Sequence, residues 1–371
     1  MLKVELITMH RVKNYGSVLQ AYATQFALEK LGYEVEIIDY YPYRNTKKGM
    51  LERIKNQNKY LKQSKIIRSV ARIIILPSYN KRFRIFEDFI FSNLHLSNNV
   101  YHSYDEISSN LPQSDYYLTG SDQVWNSGWS GEIDRCFFWD FDKITNKKKI
   151  AYSASFGKLK LDDCEEGEIR KLLKKYDKIS LRENSGVNIC NDLGIENTIA
   201  VLDPTLLLTG DEWRKISSEK HKNEKYILVY NLNRNKKIDK YAKKLSKKTG
   251  LRVKYLSYQL HEFYKFGKMY CNPPIEEFLD LIDNATYIIT DSFHAAAFSL
   301  NFNKEFIIVY PEKYSTRLQS ILELLDLENR VAKDENDMSV ITQTIDYSKV
   351  NKKIAEERKK SNDWLKGALH E

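Results

Sequence analysis

Short apolar runs alternate along the chain with segments whose apolar residues recur every three or four positions. The longer segment "SVLQAYATQFALEKLG" has helical spacing, with Ser17 and Gln20 in capping-box spacing and Gly32 as a helix stop. The short runs have the length and composition of buried strands, and in the first part of the chain they are "KVELITM", "EVEIIDY", "DYYLTG", "FFWDF", "KIAYS", "DKISL" and "NTIAVL". This alternation predicts a parallel sheet covered by helices, a doubly wound α/β domain.

The alternation starts again after "DPTLLLTGDEW", where Thr209 and Glu212 also have capping-box spacing. Strands are predicted there at "KYILVYNL", "LRVKYLSY", "TYIIT" and "FIIVY", and a charged helix from Asn351 closes the chain. Because 371 residues exceed one ordinary core, we predict two domains, over residues 1–205 and 206–345, and a C-terminal helix over 346–371. Ligands of such sheets bind outside the carboxyl ends of the strands.

The segment between residues 47 and 91 does not follow this alternation of strands and helices, because it combines bulky apolar residues with many positive charges. Its basic residues are Lys65, Arg68, Arg72, Lys81, Arg82 and Arg84. A basic amphipathic segment of this kind can lie on an anionic bilayer surface. It can equally be a helical excursion that packs on the first domain and leaves its basic face in water.

Composition and charge exclude several classes of protein. No apolar run approaches the roughly 20 residues that span a bilayer, and "MLKVELITMH" lacks the features of a signal peptide, so we expect a cytoplasmic protein. The formal net charge of +9 is spread along the chain without a nucleic-acid-binding motif, so we expect no nucleic acid partner. Four cysteines with no C-x-x-C pair indicate neither a metal site nor a disulfide framework.

Two polar turns in the first domain are candidate binding sites. The loop between the first strand and its helix contains Asn14, Tyr15, Gly16 and Ser17, where helix-start amides can receive an anion or a hydroxyl. The dinucleotide fingerprint G-x-G-x-x-G is absent, and the loop can also be a simple turn and cap. The second turn, "LTGSDQVWN", contains Ser121, Asp122, Gln123, Trp125 and Asn126, a set of polar groups and an aromatic ring that suits a sugar or, alternatively, caps a helix.

Two further strands of this domain end in polar residues. "KIAYSASFG" provides Ser153 and Ser155, and "KISLRENSG" provides Arg182 beside a predicted helix start. A guanidinium there suits a carboxylate or phosphate, although an isolated arginine more often forms a surface salt bridge. The interest of these residues lies in their position, since all of them fall at the same edge of the sheet.

In the second domain, "TYII" leads directly into "TDSFHAAAFS". Asp291 or Ser292 can cap the helix that follows, and the helix-start amides can face an anion. His294 lies in the first turn, where the helix dipole lowers the affinity of an imidazole for a proton, and histidine is a natural acid–base group near neutral pH. A lone histidine can also be a hydrogen-bonded core residue.

Six segments, in this order and at these separations, resemble the polysaccharide pyruvyl transferase family. They are "MHRVKNYGSVLQAYA", "LTGSDQVWN", "AYSASFG", "SLRENSG", "VLDPTLLL" and "TDSFHAAAFS". The resemblance runs from residue 1 to about residue 330 and implies a GT-B-like fold, two Rossmann-like parallel-sheet domains that face a central cleft. It implies phosphoenolpyruvate as a co-substrate, no cofactor and no metal, and a sugar acceptor that becomes a cyclic pyruvate ketal in a capsule, exopolysaccharide or cell-wall polymer.

The resemblance also implies roles for individual residues. His294 matches a histidine of the family's donor site and Arg182 matches an arginine of the family. Many members have arginine where this chain has Ser292, so Arg317 is a candidate for the second positive charge. We expect His294 and Asp122 to be catalytic. We expect the donor side to include Arg182, Arg317, Asp291, Ser292, Ser153 and Ser155, and the acceptor side to include Asn14, Tyr15, Gly16, Ser17, Ser121, Gln123, Trp125 and Asn126.

Two other functions remain open at this stage. A GT-B glycosyltransferase that uses a nucleotide sugar would have the same architecture and would also need basic residues at helix starts. A glycan-binding relative without enzymatic activity would explain the serine at position 292. If the acceptor is carried on a polyprenyl phosphate, the basic segment would hold the protein at the inner face of the membrane.

Overall fold

The computed structural model describes residues 1–57, 65–144, 146–259, 262, 265–311 and 316–370. The chain forms two compact units, each with its own parallel sheet. The first unit comprises residues 1–46, 90–208 and 352–371, and the second comprises residues 47–89 and 209–351. No helix among the described residues is long and apolar enough to span a bilayer.

The first sheet has seven parallel strands in the order β3-β2-β1-β4-β5-β6-β7. Its strands are β1 (Lys3–Ile7), β2 (Glu34–Tyr40), β3 (Leu96–Tyr101), β4 (Tyr116–Thr119), β5 (Lys148–Ala154), β6 (Lys178–Leu181) and β7 (Ile199–Ala200). Leu6, Ile150 and Leu181 are fully buried, because helices cover both faces of a parallel sheet. β1 pairs directly with β4, although β2 and β3 lie between them in the sequence. The strand order therefore reverses between β1 and β4, and ligands of such sheets bind at this point.

Helices fill the connections of the first unit. They are α1 (Tyr15–Lys30), α4 (Tyr104–Ser109), α5 (Ser127–Ser130), α6 (Asp163–Leu173), α7 (Asn184–Asp192) and α8 (Pro204–Leu207), with α2 (Lys47–Gln57) and most of α3 (Lys65–Asn93) in the second unit. The N-cap of α1 is Asn14, three residues before the predicted cap at Ser17, because the Asn14 carboxamide accepts the hydrogen bond from the Gly16 amide at 2.9 Å.

The second sheet repeats the same strand order with five parallel strands, β10-β9-β8-β11-β12. Its strands are β8 (Tyr226–Tyr230), β9 (Arg252–Ser257), β10 (Lys268–Cys271), β11 (Tyr287–Thr290) and β12 (Glu305–Ile308). The remaining helices are α9 (Gly210–Arg214), α10 (Lys236–Thr249), α11 (Ile275–Asp283), α12 (Phe293–Asn301), α13 (Thr316–Leu324) and α14 (Tyr347–His370). The capping box at Thr209 and Glu212 is present, as predicted.

Three strand assignments from the sequence differ from the structure. "FFWDF" was expected to be a strand, but Arg135–Phe138 is a turn of 3-10 helix. Its aromatic residues are all buried without alternation, because they pack beneath the first sheet and not within it. β3 and β10 were not predicted, because both are edge strands, β3 has polar residues at its centre and β10 has only four residues.

The basic excursion groups with the second unit and not with the first. Met50, Tyr79 and Phe83 form a small buried cluster between α2 and α3. The Lys81 ammonium donates a hydrogen bond to the carbonyl of Cys271 at 2.7 Å, which fixes α3 at the end of β10. The side chains of Lys65, Arg68 and Arg72 lie outside the described residues.

Candidate functional site

The predicted residues of the first unit lie on both sides of the point where its strand order reverses. The loop after β1 leads into α1, and the loop after β4 contains Ser121 and Asp122. The Ser17 hydroxyl, on the first turn of α1, donates a hydrogen bond to Asp122 Oδ2 at 2.5 Å. The structure therefore brings together two of the predicted sugar-binding segments, which are more than 100 residues apart in the sequence.

Two residues at this edge have backbone conformations that are unusual for their type. Asp122 has φ +76° and Ser153 has φ +53°, and the backbone of Asp122 bridges to Ala154. The left-handed region costs a residue with a side chain about 1–3 kcal/mol, and such strain is concentrated at functional sites. The Asp122 side chain is held in place by its own turn, since the Gln123 amide donates to Asp122 Oδ1 at 2.9 Å.

Arg182 lies at the end of β6 and is surrounded by three buried carboxylates. Its guanidinium donates to Asp203 Oδ2 at 2.9 Å, and it lies 3.6 Å from Asp122 Oδ1 and 3.7 Å from Glu183 Oε2. Burial opposes the charge, but these carboxylates raise the pKa of Arg182 above its usual value. One guanidinium thus faces three acidic groups, and the cluster has an excess of negative charge when all three are ionised.

The predicted serines are part of the same network. The Ser121 hydroxyl donates to Asp203 Oδ2 at 3.0 Å, and the Ser155 hydroxyl donates to Glu183 Oε1 at 2.6 Å. Ser121 Oγ and Ser153 Oγ are 3.4 Å apart. Ser153 and Ser155, which were assigned to the donor side, therefore lie with the acceptor residues in the first unit.

Trp125 does not have the position that a sugar-stacking residue needs. Its ring is 3% exposed, stacks on Phe138 at a centroid distance of 5.3 Å and contacts Phe156 at 5.2 Å. The prediction of an acceptor-binding ring is therefore corrected, because Trp125 is a core residue whose faces are covered. Asn126 caps α5 and donates from its amide to Gln123 Oε1 at 2.6 Å, so it orients Gln123.

The second unit holds the remaining predicted residues at the equivalent edge of its sheet. Ser292 is the N-cap of α12, and His294 lies in its first turn with 7% of its surface exposed. The Asp291 carboxylate accepts hydrogen bonds from the amides of Leu232 and Asn233 at 2.7 and 2.9 Å. Asp291 therefore fastens the loop after β8 to the His294 turn.

Burial raises the pKa of Asp291, and the hydrogen bonds from the two loop amides oppose this effect. Both oxygens of the Asp291 carboxylate accept hydrogen bonds from backbone amides. Asp291 thus positions the turn, which is a different role from direct donor binding. Arg317 is the second residue of α13 and is half-buried.

Sequence reasoning missed several buried polar residues of the first unit. Glu183 and Asp203 complete the environment of Arg182, and Gln20 donates to Thr8 Oγ1 at 2.8 Å below the Ser17 turn. Asp203 could have been suspected from "LDPT", a carboxylate at a strand end before a proline that begins a helix. Glu183 has no comparable local signal, because only its burial distinguishes it from a surface residue. The spacing of Gln20 predicted a capping box with Ser17, whereas its amide donates to Thr8 Oγ1.

A second buried polar cluster lies in the loop after β1. Arg11 donates to both carboxylate oxygens of Asp39, and His10 Nε2 lies 3.2 Å from Asp39 Oδ1. Burial lowers the pKa of His10, whereas hydrogen bonds and charge from His10 and Arg11 overcome burial and hold the pKa of Asp39 at about 2. This cluster anchors the loop that ends at Asn14.

Comparison with known proteins shows the family of the chain. The model of the family described as polysaccharide pyruvyl transferase matches residues 14–313. The protein belongs to this family. The family match contains every predicted site residue from Asn14 to His294, and Arg317 lies beyond its end. No curated protein matches the chain in sequence.

Solved structures of sugar-nucleotide enzymes are similar to this family member in fold. The UDP-GlcNAc 2-epimerase from Neisseria meningitidis, bound to UDP-GlcNAc, is 13% identical with a TM-score of 0.51, and the alignment covers 96% of this chain and 94% of that chain. MnaA from S. aureus, in a structure with UDP, is 12% identical with a TM-score of 0.51 and coverage of 96% and 91%. These similarities agree with the expected GT-B-like fold of two Rossmann-like sheets.

Proposed function

We propose that the protein transfers pyruvate from phosphoenolpyruvate to a sugar residue as a cyclic ketal and releases phosphate. We further propose that the product is part of an exopolysaccharide, capsule or cell-wall polymer, made at the cytoplasmic side of the membrane. Membership of the pyruvyl transferase family over residues 14–313 is the observation that carries this proposal. The donor and the polymer are our inference from the chemistry of that transfer.

The reaction needs an acid, a base and groups that hold anions. Protonation of the methylene carbon of phosphoenolpyruvate makes its neighbouring carbon electrophilic, and a first sugar hydroxyl attacks that carbon. The bond to phosphate then breaks and a second hydroxyl of the same sugar closes the ring. Of the two hydroxyl protons, one balances the proton now in the methyl group and the other leaves with phosphate. Proton transfer by positioned side chains commonly contributes about 10²- to 10⁴-fold to such rates.

His294 is our candidate for the acid on the donor side. Its imidazole lies in the first turn of α12, where helix-start amides and the positive end of the dipole favour an anion. Ser292 caps the helix and Asp291 fixes the neighbouring loop, so the turn is preorganised. Arg317, at the start of α13, is the candidate for an additional positive charge in the same unit.

Asp122 is our candidate for the base that takes a hydroxyl proton. It already accepts a hydrogen bond from the Ser17 hydroxyl, and a sugar hydroxyl offers the same kind of donor. Arg182 holds Asp122 from the other side at 3.6 Å. Because three carboxylates surround Arg182, a donor anion can bind there only when one of them is protonated or displaced. Binding of the donor is therefore coupled to the protonation of these carboxylates.

The first test is thermal unfolding of the purified protein with phosphoenolpyruvate and with a panel of nucleotide sugars. A ligand that binds only the folded state raises the melting temperature. We expect phosphoenolpyruvate alone to do so, and the Arg182→Ala variant to lose the effect. A shift with a nucleotide sugar and none with phosphoenolpyruvate would make this a glycosyltransferase, and no shift with any donor would favour a glycan-binding protein.

The second test separates binding from chemistry. In His294→Ala we expect phosphate release from phosphoenolpyruvate in the presence of acceptor to fall by about a hundredfold or more, while stabilisation by phosphoenolpyruvate is largely kept. His95→Ala is the control, because the His95 side chain is 67% exposed in the first unit. Wild-type turnover in His294→Ala would remove His294 from the mechanism.

A further inference from the structure

The helix α10 of the second unit carries most of the excess positive charge of the chain. It contains seven lysines and one aspartate, a net formal charge of +6, whereas the whole chain has a formal charge of +9. The lysines are Lys236, Lys237, Lys240, Lys243, Lys244, Lys247 and Lys248, and all of them are exposed. The net charge is therefore concentrated on one element, although the basic residues themselves are spread along the chain.

These seven lysines form a single row along one side of the helix, which we call the lysine row of α10. An α-helix turns by about 100° per residue and rises by about 1.5 Å, so the seven positions fall within an arc of about 140° and extend over about 18 Å. The opposite side of α10 packs into the core of the second unit through Ile238, Tyr241, Ala242 and Leu245.

The protein itself neutralises little of this charge. Asp239, the acid of α10, lies outside the arc of the lysines, and its carboxylate accepts hydrogen bonds from Asn231 at 3.2 Å and from Lys265. Among the residues that the structure describes, one ion pair is made by the lysine row, between Lys240 and Glu335 at 3.2 Å. The other six ammonium groups of the row remain available to an external anion.

A charged helix face that is only in contact with water usually combines both signs, because like charges three or four residues apart destabilise a helix. The exposed side of α14 has this mixed arrangement, in which Lys359 pairs with Asp363 and Lys360 pairs with Glu357. α10 instead contains four pairs of lysines spaced four residues apart. The lysine row therefore repels itself, and an anionic surface would relieve this repulsion.

The residue types of the row indicate which kind of anion it fits. The exposed positions of α10 are all lysines, without the aromatic rings that stack on sugars or bases and without the guanidinium forks that hold one phosphate in a fixed geometry. A lysine is a compact point charge on a flexible stem. A straight row of such charges on the convex side of a helix can meet a flat layer of mobile headgroups along its whole length.

We propose that the lysine row of α10 docks the second unit on an anionic lipid bilayer by electrostatic attraction to the headgroups. Clusters of about four to eight basic residues on an amphipathic helix bind such surfaces, and each lysine near the surface strengthens binding by about fivefold. The apolar side of α10 is buried in the protein, so this contact involves no insertion of the helix into hydrocarbon. The proposal concerns a surface of the second unit and does not depend on the proposed reaction.

The test is co-sedimentation of the full chain, at low salt, with vesicles of phosphatidylglycerol and phosphatidylcholine in equal parts. We expect Lys236→Gln combined with Lys243→Gln and Lys247→Gln to weaken binding by about tenfold or more. The three side chains are exposed and glutamine has nearly the helix propensity of lysine, so this variant should fold. If it does not fold, Lys237→Gln with Lys248→Gln at the other edge of the row makes the same test. Unchanged binding would overturn the proposal.

A matched control removes the same charge elsewhere in the second unit. Lys215→Gln combined with Lys225→Gln and Lys268→Gln changes three exposed lysines outside α10 and should weaken binding by less than about threefold. An equal loss in the control and in the α10 variant would show that binding follows the net charge of the protein, and it would overturn the assignment to α10.

Salt and a second polyanion identify the partner. Raising the salt from about 0.1 to 1 M shortens the screening length from about 10 to about 3 Å and should release the protein from the vesicles. Binding that survives 1 M salt and is lost in Ile73→Ser with Ile74→Ser would place the contact on α3 and overturn the proposal. Binding to dextran sulfate, with none to the vesicles, would assign the lysine row to a soluble polyanion and overturn the lipid assignment.

Discussion

Individual residues at the strand ends have local signals in the sequence, but their partners do not. Ser292 caps α12 and Thr209 caps α9, as their spacing predicts, because a cap is made with amides only a few residues away. Ser17 was predicted to be a cap as well, and it binds Asp122 instead. Its neighbour in space is not its neighbour in sequence, so spacing carries no information about it.

A residue-scale prediction concerns Glu5, which is fully buried on β1 opposite Glu36 of β2. Burial first, and then the neighbouring Glu36, raises the pKa of Glu5 to about 8, although Lys3 opposes this. Between pH 5 and 8, roughly, the folded protein keeps a proton that the unfolded chain has lost, so the free energy of unfolding falls as pH rises. Glu5→Gln should remove this slope and stabilise the protein at pH 8 by on the order of 2 kcal/mol in urea titrations. The exposed Glu34→Gln should keep the slope, and a slope retained in Glu5→Gln would contradict this account.

A second residue-scale prediction concerns Gly157, which follows Ser155 in the first unit. It has φ +61°, and a Cβ there would lie 2.8 Å from side-chain atoms of both Asn126 and Gln123. Gly157→Ala should therefore lower the free energy of unfolding by about 1–3 kcal/mol and weaken binding of the sugar acceptor. Gly167→Ala, in the middle of α6 with open space around it, should instead stabilise by about 0.5–1 kcal/mol. Thermal unfolding of the two variants distinguishes the cases, and equal melting temperatures would refute the steric argument.

At the scale of elements, the spacing of apolar residues and the length of the apolar runs predicted most central strands and their helices. The edge strands β3 and β10 were not predicted, because they are short or rich in polar residues and half of their positions or more are not buried. The 3-10 turn at Arg135–Phe138 was mistaken for a strand, because its aromatic residues are buried in the core without a strand's alternation. The excursion was correctly expected to be helical. Its attachment to the second unit was not expected, because the contacts that decide it come from residues about 190 positions away, such as Cys271 and Asn272.

The element-scale prediction concerns α3 as a membrane contact. Ile73 and Ile74 are 73% and 51% exposed beside the basic positions of the same helix. Because apolar side chains gain free energy on entering a bilayer, Ile73→Ser with Ile74→Ser should weaken binding to anionic liposomes by about tenfold. Neutralising the basic residues between 65 and 84 should have the same effect in a flotation assay. Leu159→Ser, a 74% exposed residue of the first unit, is the control, and unchanged binding in the isoleucine variant would rule out this contact.

At the scale of the whole molecule, each unit is assembled from separated parts of the chain. Residues 352–371 complete the first unit, where the Leu202 amide donates to Ser361 Oγ at 3.0 Å and the Arg358 guanidinium donates to the carbonyl of Leu206 at 2.8 Å. Trp364 packs against Tyr152 of β5. The terminal helix was predicted as an element, but not its place beside strands formed 150 or more residues earlier.

The whole-molecule prediction follows from this packing. Leu365 is 1% exposed, and Leu365→Ala should lower the free energy of unfolding by about 2–5 kcal/mol, because it leaves a cavity in the first unit. Lys359→Ala, on the exposed side of the same helix, should change it by less than about 0.5 kcal/mol. Calorimetry of both variants tests this, and an unchanged melting temperature in Leu365→Ala would contradict the packing of Leu365 in the core of the first unit.

The sequence by itself determined the α/β class, the two sheets, the family and the turns that hold Asp122, Arg182 and His294. These properties depend on local periodicity and on motifs of adjacent residues, so they can be read from a linear chain. Only the tertiary structure decided that Arg182 faces three carboxylates, that Trp125 is a core residue, and that the helical excursion is fastened to the end of β10. These facts depend on burial and on contacts between distant segments, whose electrostatic and packing energies have no counterpart in sequence spacing.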